Sequence, residues 1–451
     1  MTQDDRNQRR GNAARGSARL VDSIPDKGRR SFLQGAMASG IAAPVALASF
    51  GSTQAAAQTA VNAGPAPSAA AAKRTGLIVR DFSDPYLELM RLLREGAEVE
   101  HAVMLEYLYC AFSIKDSYQG LIGFGAPMAT NVLGVAVQEM QHMGAVNRFL
   151  VALGGSPHLA RQDFPYEPDI YPFPFALEPL SRKSAAKYAY LEGPADIFRP
   201  DAQRSPEDAQ FGNQVMADIG DLPRPNHVGS LYRNILELFD EAAARPGFPL
   251  SPAQGEEWKA GLMHVMEEGE HDHFNFFRDL HQGKHPAFAN AGVDNVWDLP
   301  TDHEAYPSHQ LSLNPTAFIG HPNQIASEDA QAIAWLGNLH YWVSLCLLDF
   351  SYRFGDEDAM QLSVSQMMTG LWPLAAELPK YGMGMPFDPL SMGYAPGTGK
   401  QQNGQFILAL AREAQEFSRT IEHLLPARYQ DNAEGVIELL GARGLALGDT
   451  Q

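Results

Sequence analysis

Residues 131–155 read NVLGVAVQEMQHMGAVNRFLVALGG, and this stretch decides the fold. It predicts one long helix that carries Glu139 and His142 three residues apart, which sets both side chains on one face, one turn apart. Val132, Val135, Ala136, Met143, Val146, Phe149 and Leu150 recur at helical period around them, so the pair lies on or beside an apolar stripe. A carboxylate and an imidazole are costly there unless compensated, and a metal ion is one such partner. Gly154 and Gly155 close the helix.

The same pattern recurs downstream. A helix expected over residues 254–281, within EEWKAGLMHVMEEGEHDHFNFFRDLH, carries Glu270 and His273 in phase with Met266, Phe274 and Phe277. Upstream, residues 85–115 form a third long helix in which Leu89, Leu92, Leu93, Ala97, Met104, Tyr107 and Leu108 recur at three and four, with Glu100 among them. A fourth helix is expected over 227–244, stopped by Pro246. Carboxylate-bridged dinuclear centres are built from this set: one Glu from each of two helices and Glu-x-x-His from each of the other two. Bridging carboxylates screen two neighbouring cations, imidazoles complete the ligand shell, and open positions remain for O2 or substrate. The expected ligands are Glu100, Glu139, His142, Glu270 and His273, with Glu237 as the candidate on the 227–244 helix. Asp240, Glu267 and His227 are alternatives for that last position, and His101 points about 100° away from Glu100 around its helix. The competing reading makes Glu267, Glu268, Glu270 and Asp272 a solvated charge run on a metal-free bundle.

The rest of the chain frames this bundle. Its 451 residues suffice for a sizeable core, and a net charge of −19 argues against nucleic acid and anionic membrane surfaces as partners. Two cysteines, Cys110 and Cys346, sit in apolar helical stretches and are too few for a thiolate metal site. Residues 1–57 have the form of a twin-arginine export signal: Arg29-Arg30-Ser31-Phe32-Leu33, a mild apolar run, then Ala55-Ala56-Ala57. That implies a periplasmic or secreted location, and no segment is apolar enough to span a membrane. An Ala/Pro-rich linker follows over 58–74, the bundle over 75–285, and a C-terminal helical region packed on it over 286–451. Residues 155–225 read as a long irregular segment with a short helix near 184–191. The aromatic loop 164–175 and the Gly/Pro/Met loop 381–399 are expected to wall a substrate pocket.

At these residues the chain resembles the ferritin-like family that includes iminophenyl-pyruvate dimer synthase. The matching pieces are Glu100-His101-Ala102 with Tyr107-Leu108-Tyr109, Val137-Gln138-Glu139-Met140-Gln141-His142, Leu231-Tyr232-Arg233-Asn234-Ile235, and Glu268-Gly269-Glu270 with His273-Phe274. Asn338-Leu339-His340-Tyr341-Trp342 and Pro386-Phe387-Asp388-Pro389 are similar to longer members. The resemblance implies an all-α ferritin-like four-helix bundle, two Fe ions (or Mn), and oxidation of a small organic substrate with O2 or peroxide. It carries over as ligands Glu100, Glu139, His142, Glu270 and His273. Ser230 stands where that family has an acidic residue, and the export signal sets the chain apart from cytoplasmic members. The alternatives are a ferroxidase or metal-handling protein without organic substrate, and a structural helical protein with a decayed site.

Overall fold

Two helices pack along most of their length to make the centre of the molecule: α1, Pro85–Ser113, and α2, Val132–Ala152. The structure is a computed structural model that describes residues 78–123, 130–161, 170–171, 173–199, 202–220, 227–390 and 399–444. The export signal, the linker, loop residues 164–169 and 172, and loop residues 391–398 lie outside the described residues. Each central helix starts on a side-chain cap. Asp84 accepts from the Tyr86 and Leu87 amides ahead of Pro85, and Asn131 accepts from Gly134, which satisfies amides that a helix start leaves orphaned.

The third column of the bundle is split. Within the segment read as irregular lie α3, Arg182–Glu192, and α4, Pro206–Ile219, and then comes α5, Val228–Ala243. Both α3 and α5 run antiparallel to α1. Along α3, Leu180 N–H donates to Ser113, Lys187 pairs with Glu106 at 2.9 Å, and Tyr107 O–H donates to Glu192. Along α5, Tyr232 O–H donates to Glu100, and Arg245 pairs with Asp84. Residues 193–227 therefore interrupt a single column midway along α1.

The fourth column is continuous but irregular. It runs as α6, Pro252–Glu268, a π-turn, Gly269–His273, and α7, Phe274–His281. Here Phe274 N–H donates to the Gly269 carbonyl five residues back. Helix α6 packs on α5 and α7 on α3, so the break in the third column and the π-turn in the fourth face one another.

From Glu328 onward the described residues are mainly helical. They form α8, Glu328–Phe354, α9, Glu357–Ser365, with a π-turn, Gln366–Leu371, then α10, Lys400–Thr420, and α11, Ala433–Ala442. Helix α8 packs on α2, and one hydrophobic core runs without interruption from Ile78 through the bundle into Phe387 and Phe417. A smaller cluster around Phe350, Ile407 and Val436 holds α10 and α11 on the outer side of α8. No named strand occurs among the described residues, and none of their helices is long and apolar enough to cross a membrane.

Candidate metal centre

The residues that meet at the middle of the bundle are Glu139 and His142 of α2, His273 of the π-turn, and carboxylates from three further segments. The ligand-type atoms of Glu139, His142 and His273 lie within 4.8 Å of one another, and all three side chains are buried. His142 Nδ1 is 3.0 Å from Glu139 Oε2 and 3.9 Å from Glu100 Oε2, while its Nε2 is 2.8 Å from Glu268 Oε2. His273 Nδ1 lies 2.8 Å from Glu139 Oε1 and 3.8 Å from Glu192 Oε2. The two imidazoles stack with centroids 5.5 Å apart.

The pair His273 Nδ1 and Glu139 Oε1 tests whether a metal fits. At 2.8 Å they are in ion-pair contact, yet neither atom makes a hydrogen bond of good geometry, and both are buried. Buried polar atoms of this kind are ordinarily satisfied by a partner. Two orphaned donor atoms, a second imidazole and surrounding carboxylates are a hard to borderline N/O set that suits Fe or Mn, with no thiolate involved. The cysteines lie elsewhere in the core as buried thiols.

The six ligand candidates expected from sequence fall in different places. Glu139, His142 and His273 converge, and Glu100 lies beside them, oriented by the Tyr232 hydroxyl. Glu270 does not join them. Its carboxylate pairs with Arg233 of α5 at 2.7 Å and sits over Gly229, where a Cβ would fall 2.0 Å from Glu270 Oε1. The physical reason is the π-turn: three residues make one turn only in a regular α-helix, and the wider turn swings Glu270 off the site. Glu268 comes in instead, bonded to His142 and to the Gln138 amide. Glu237 is also elsewhere, exposed on the outer face of α5, because the buried stripe there is Leu231, Ile235, Leu238 and Phe239. Of the alternatives, Glu267 is exposed and Asp240 pairs with Lys259 at 2.8 Å on the surface.

A carboxylate that sequence reading missed, Glu192, approaches this cluster from the split third column. It closes α3 at the split and receives the Tyr107 hydroxyl. Gly269 of the π-turn makes room for it, since a Cβ there would stand 3.0 Å from Glu192 Oε2. The signal that marks it is the run Ala185, Tyr188, Ala189, Glu192, a buried stripe at spacing three and four. Ser230 stands in the first turn of α5 after the break, and Glu192 closes α3 before it.

Electrostatics follow from crowding. Burial alone would raise Glu139, but the His273 and His142 imidazoles outweigh it and hold the carboxyl well below its ordinary range. Burial would likewise lower His273, yet Glu139 opposes it and the ring is pushed up to about 10. His142 is raised well above its ordinary value against burial, by Glu139, Glu268 and Glu100. Glu100 is raised by burial first and by the Glu139 charge second, and accepts from Tyr232.

The remaining histidines are not part of this cluster. His101 Nε2 meets the Tyr341 hydroxyl at 2.7 Å and its Nδ1 faces the Ala160 carbonyl at 3.3 Å, which ties α1 to α8; burial pulls it down to about 3. His227 caps no amide but stacks on Phe198 and bonds the Tyr190 carbonyl at 2.6 Å; burial lowers it to about 4. Of the expected pocket walls, Tyr171 bonds Glu106 at 3.2 Å and Phe387 is buried against Tyr341, so the described parts of both loops pack into the core.

Comparison with known proteins agrees with this architecture. Residues 93–248 match the ferritin-like family, which covers α1 through the end of the split third column. The chain is 29% identical over 227 residues to dichlorochromopyrrolate synthase of Lentzea aerocolonigenes, covering 45% of this chain and 20% of that protein. It is 29% identical over 236 residues to 2-imino-3-(indol-3-yl)propanoate dimerase of Chromobacterium violaceum, covering 43% of this chain and 23% of that protein. The chain thus spans about a fifth of the length of these relatives. No solved structure matches it significantly. Helical fold, family match and these two relatives together identify residues 93–248 as a ferritin-like domain.

Proposed function

We propose that this protein is a non-haem dinuclear metal oxidoreductase that uses O2 or peroxide to oxidise a small organic substrate. The observation that carries the reading is the buried pair Glu139 Oε1 and His273 Nδ1, in contact at 2.8 Å without a well-formed hydrogen bond and ringed by His142, Glu100, Glu192 and Glu268. Two imidazoles and four carboxylates match the donor inventory of a two-iron bundle site, and Mn suits the same donors. When bound, such a pair of ions supplies activation of O2 or peroxide and accepts electrons from the substrate.

The chain's own residues have definite parts. Glu139 lies between both imidazoles and, with His142 and His273, would hold the metal once each ring has given up a proton. Glu100 and Glu192 each accept a buried tyrosine hydroxyl, from Tyr232 and Tyr107, which fixes their orientation and offers a proton at a defined oxygen. The surrounding Phe277, Tyr188 and Tyr107 rings exclude water, which suits a reactive oxidant. The two relatives are named as a synthase and a dimerase of organic molecules, which favours an organic substrate over a purely metal-storing role. The irregular segments and the C-terminal layer, which a storage shell does not require, favour the same choice. Residues 1–57 we read as a twin-arginine export signal, placing the folded protein outside the inner membrane.

Oxygen uptake by iron-loaded protein tests this. Uptake that rises with an added organic substrate, with product formed in proportion, is the expected result. Uptake that stops after the bound iron is oxidised and never responds to organic compounds would reduce the protein to a ferroxidase.

A further inference from the structure

Next to the π-turn lies a cavity of about 850 Å3, lined by residues just before α2 and by residues 271–287 of the fourth column and the turn after it. This volume falls within the range of small-molecule pockets. One wall is aromatic and apolar. The Phe276 and His285 rings meet edge to face with centroids 5.6 Å apart, and Pro286 and Ala287 extend the surface. His285 belongs to that wall as a neutral ring. Its Nδ1 accepts from the Ala287 amide at 3.2 Å and its Nε2 donates to the Thr130 carbonyl at 3.0 Å. Neither nitrogen is left to carry a charge for a ligand.

The rim has the opposite character. Asp272 and Asp279 line the cavity beside His271, and no lysine or arginine lines it among the described residues. Asp272 shares the Nδ1 of exposed His271 at 2.6 Å, while no cation pairs with Asp279 among the described residues. The opening therefore presents the Asp279 carboxylate above an aromatic floor. The cavity is also close to the metal centre: Phe276 packs on Phe277 at 5.1 Å, Phe277 on Tyr107 at 4.9 Å, and Tyr107 bonds Glu192.

We propose that this cleft binds an aromatic molecule bearing a protonated amine, and that this is the substrate class of the neighbouring centre. The second half of that statement rests on the oxidoreductase reading; the first does not. An aromatic ring stacks against Phe276 and His285, and an ammonium group reaches Asp279 at the rim. A carboxylate on the same ring system meets like charge and loses its water without a partner, which is how such a rim discriminates.

Calorimetric titration of the full-length protein with two matched probes, tryptamine and indole-3-propionate, tests the site. Tryptamine is expected to bind about tenfold or more tightly than the carboxylate, with and without bound metal, from attraction in one case and repulsion in the other. Asp279→Asn should weaken tryptamine about fivefold while leaving metal content unchanged, as suits a partly exposed ion pair. Phe276→Ala should weaken both probes. Indole-3-propionate binding as tightly as tryptamine, or tryptamine binding unchanged in Asp279→Asn, overturns the proposal. The wild-type comparison alone decides it if a variant fails to fold. Tryptamine binding without tryptamine-dependent oxygen uptake by iron-loaded protein supports the cleft and counts against its assignment as the substrate site.

Discussion

Glu268 and Glu270 compete for one place, and substituting each to Gln separates the geometry seen here from the spacing of the motif. Glu268 Oε2, on a half-buried side chain, lies 2.8 Å from Nε2 of the buried His142. Glu270 Oε1 lies 2.7 Å from Arg233, whose side chain is 43% exposed, so that pair is a solvent-screened ion pair. A charge-assisted hydrogen bond in a buried site is worth about 1.5–3 kcal/mol, and loss of a carboxylate partner of a metal ligand weakens metal affinity about 10- to 100-fold. An exposed ion pair is worth about 1 kcal/mol or less, hence about fivefold at most. Anaerobic titration of the metal-free protein with Mn(II) or Fe(II) therefore finds Glu268→Gln weakened by one to two decades and Glu270→Gln nearly unchanged. Circular dichroism confirms that both variants keep the helical fold. If Glu270→Gln loses more affinity than Glu268→Gln, the π-turn does not set the ligand register and the regular Glu-x-x-His reading returns.

Three further outcomes follow from the same geometry. Glu192→Ala removes the carboxylate of the split column and lowers metal affinity about 10- to 100-fold, whereas Glu237→Ala, on the exposed face, leaves it unchanged within error; equal effects would dissolve the split-column assignment. In the metal-free protein His273 is raised from 6.5 to about 10, and His142 is raised too. Groups raised on folding contribute stability that is complete below their unfolded pKa and lost as pH rises through the folded one. The metal-free protein should thus lose melting temperature between about pH 7 and pH 10, and metal binding should release protons, read as a buffer-dependent enthalpy. A flat melting profile with no proton release would contradict the protonated pair. Finally, replacing Arg29 and Arg30 with Lys should leave the protein in the cytoplasm, as cell fractionation would show; unaltered export would remove the twin-arginine reading.

Much of the bundle is legible in the sequence because a buried helix face repeats its apolar residues at a fixed period. Residues 85–115 and 131–155 are read to within three residues of Pro85–Ser113 and Val132–Ala152 for that reason. Glu139, His142 and Glu100 follow directly, since a regular helix fixes where each side chain points. The two features that escape reading are both breaks in regularity. A π-turn is one backbone hydrogen bond displaced by a residue, and the residues of 269–273 carry no pattern that announces it. Its effect is still large: it exchanges Glu270 for Glu268. Glu192 escapes because α3 is only 11 residues long and lies in a Pro- and aromatic-rich stretch. Its column is recognisable as one column only through pairings with α1 that are distant in sequence, from Ser113 to Asp84. Long-range packing, unlike helical period, leaves little trace in a single chain.

The central claim is that Glu139, His142 and His273, with the carboxylates around them, would hold two transition-metal ions. Elemental analysis of the purified protein after anaerobic iron loading tests it most directly. About two Fe or Mn per chain, falling to near zero in Glu139→Ala and His273→Ala, is the predicted result. No bound transition metal after loading, in protein that is folded, would contradict it.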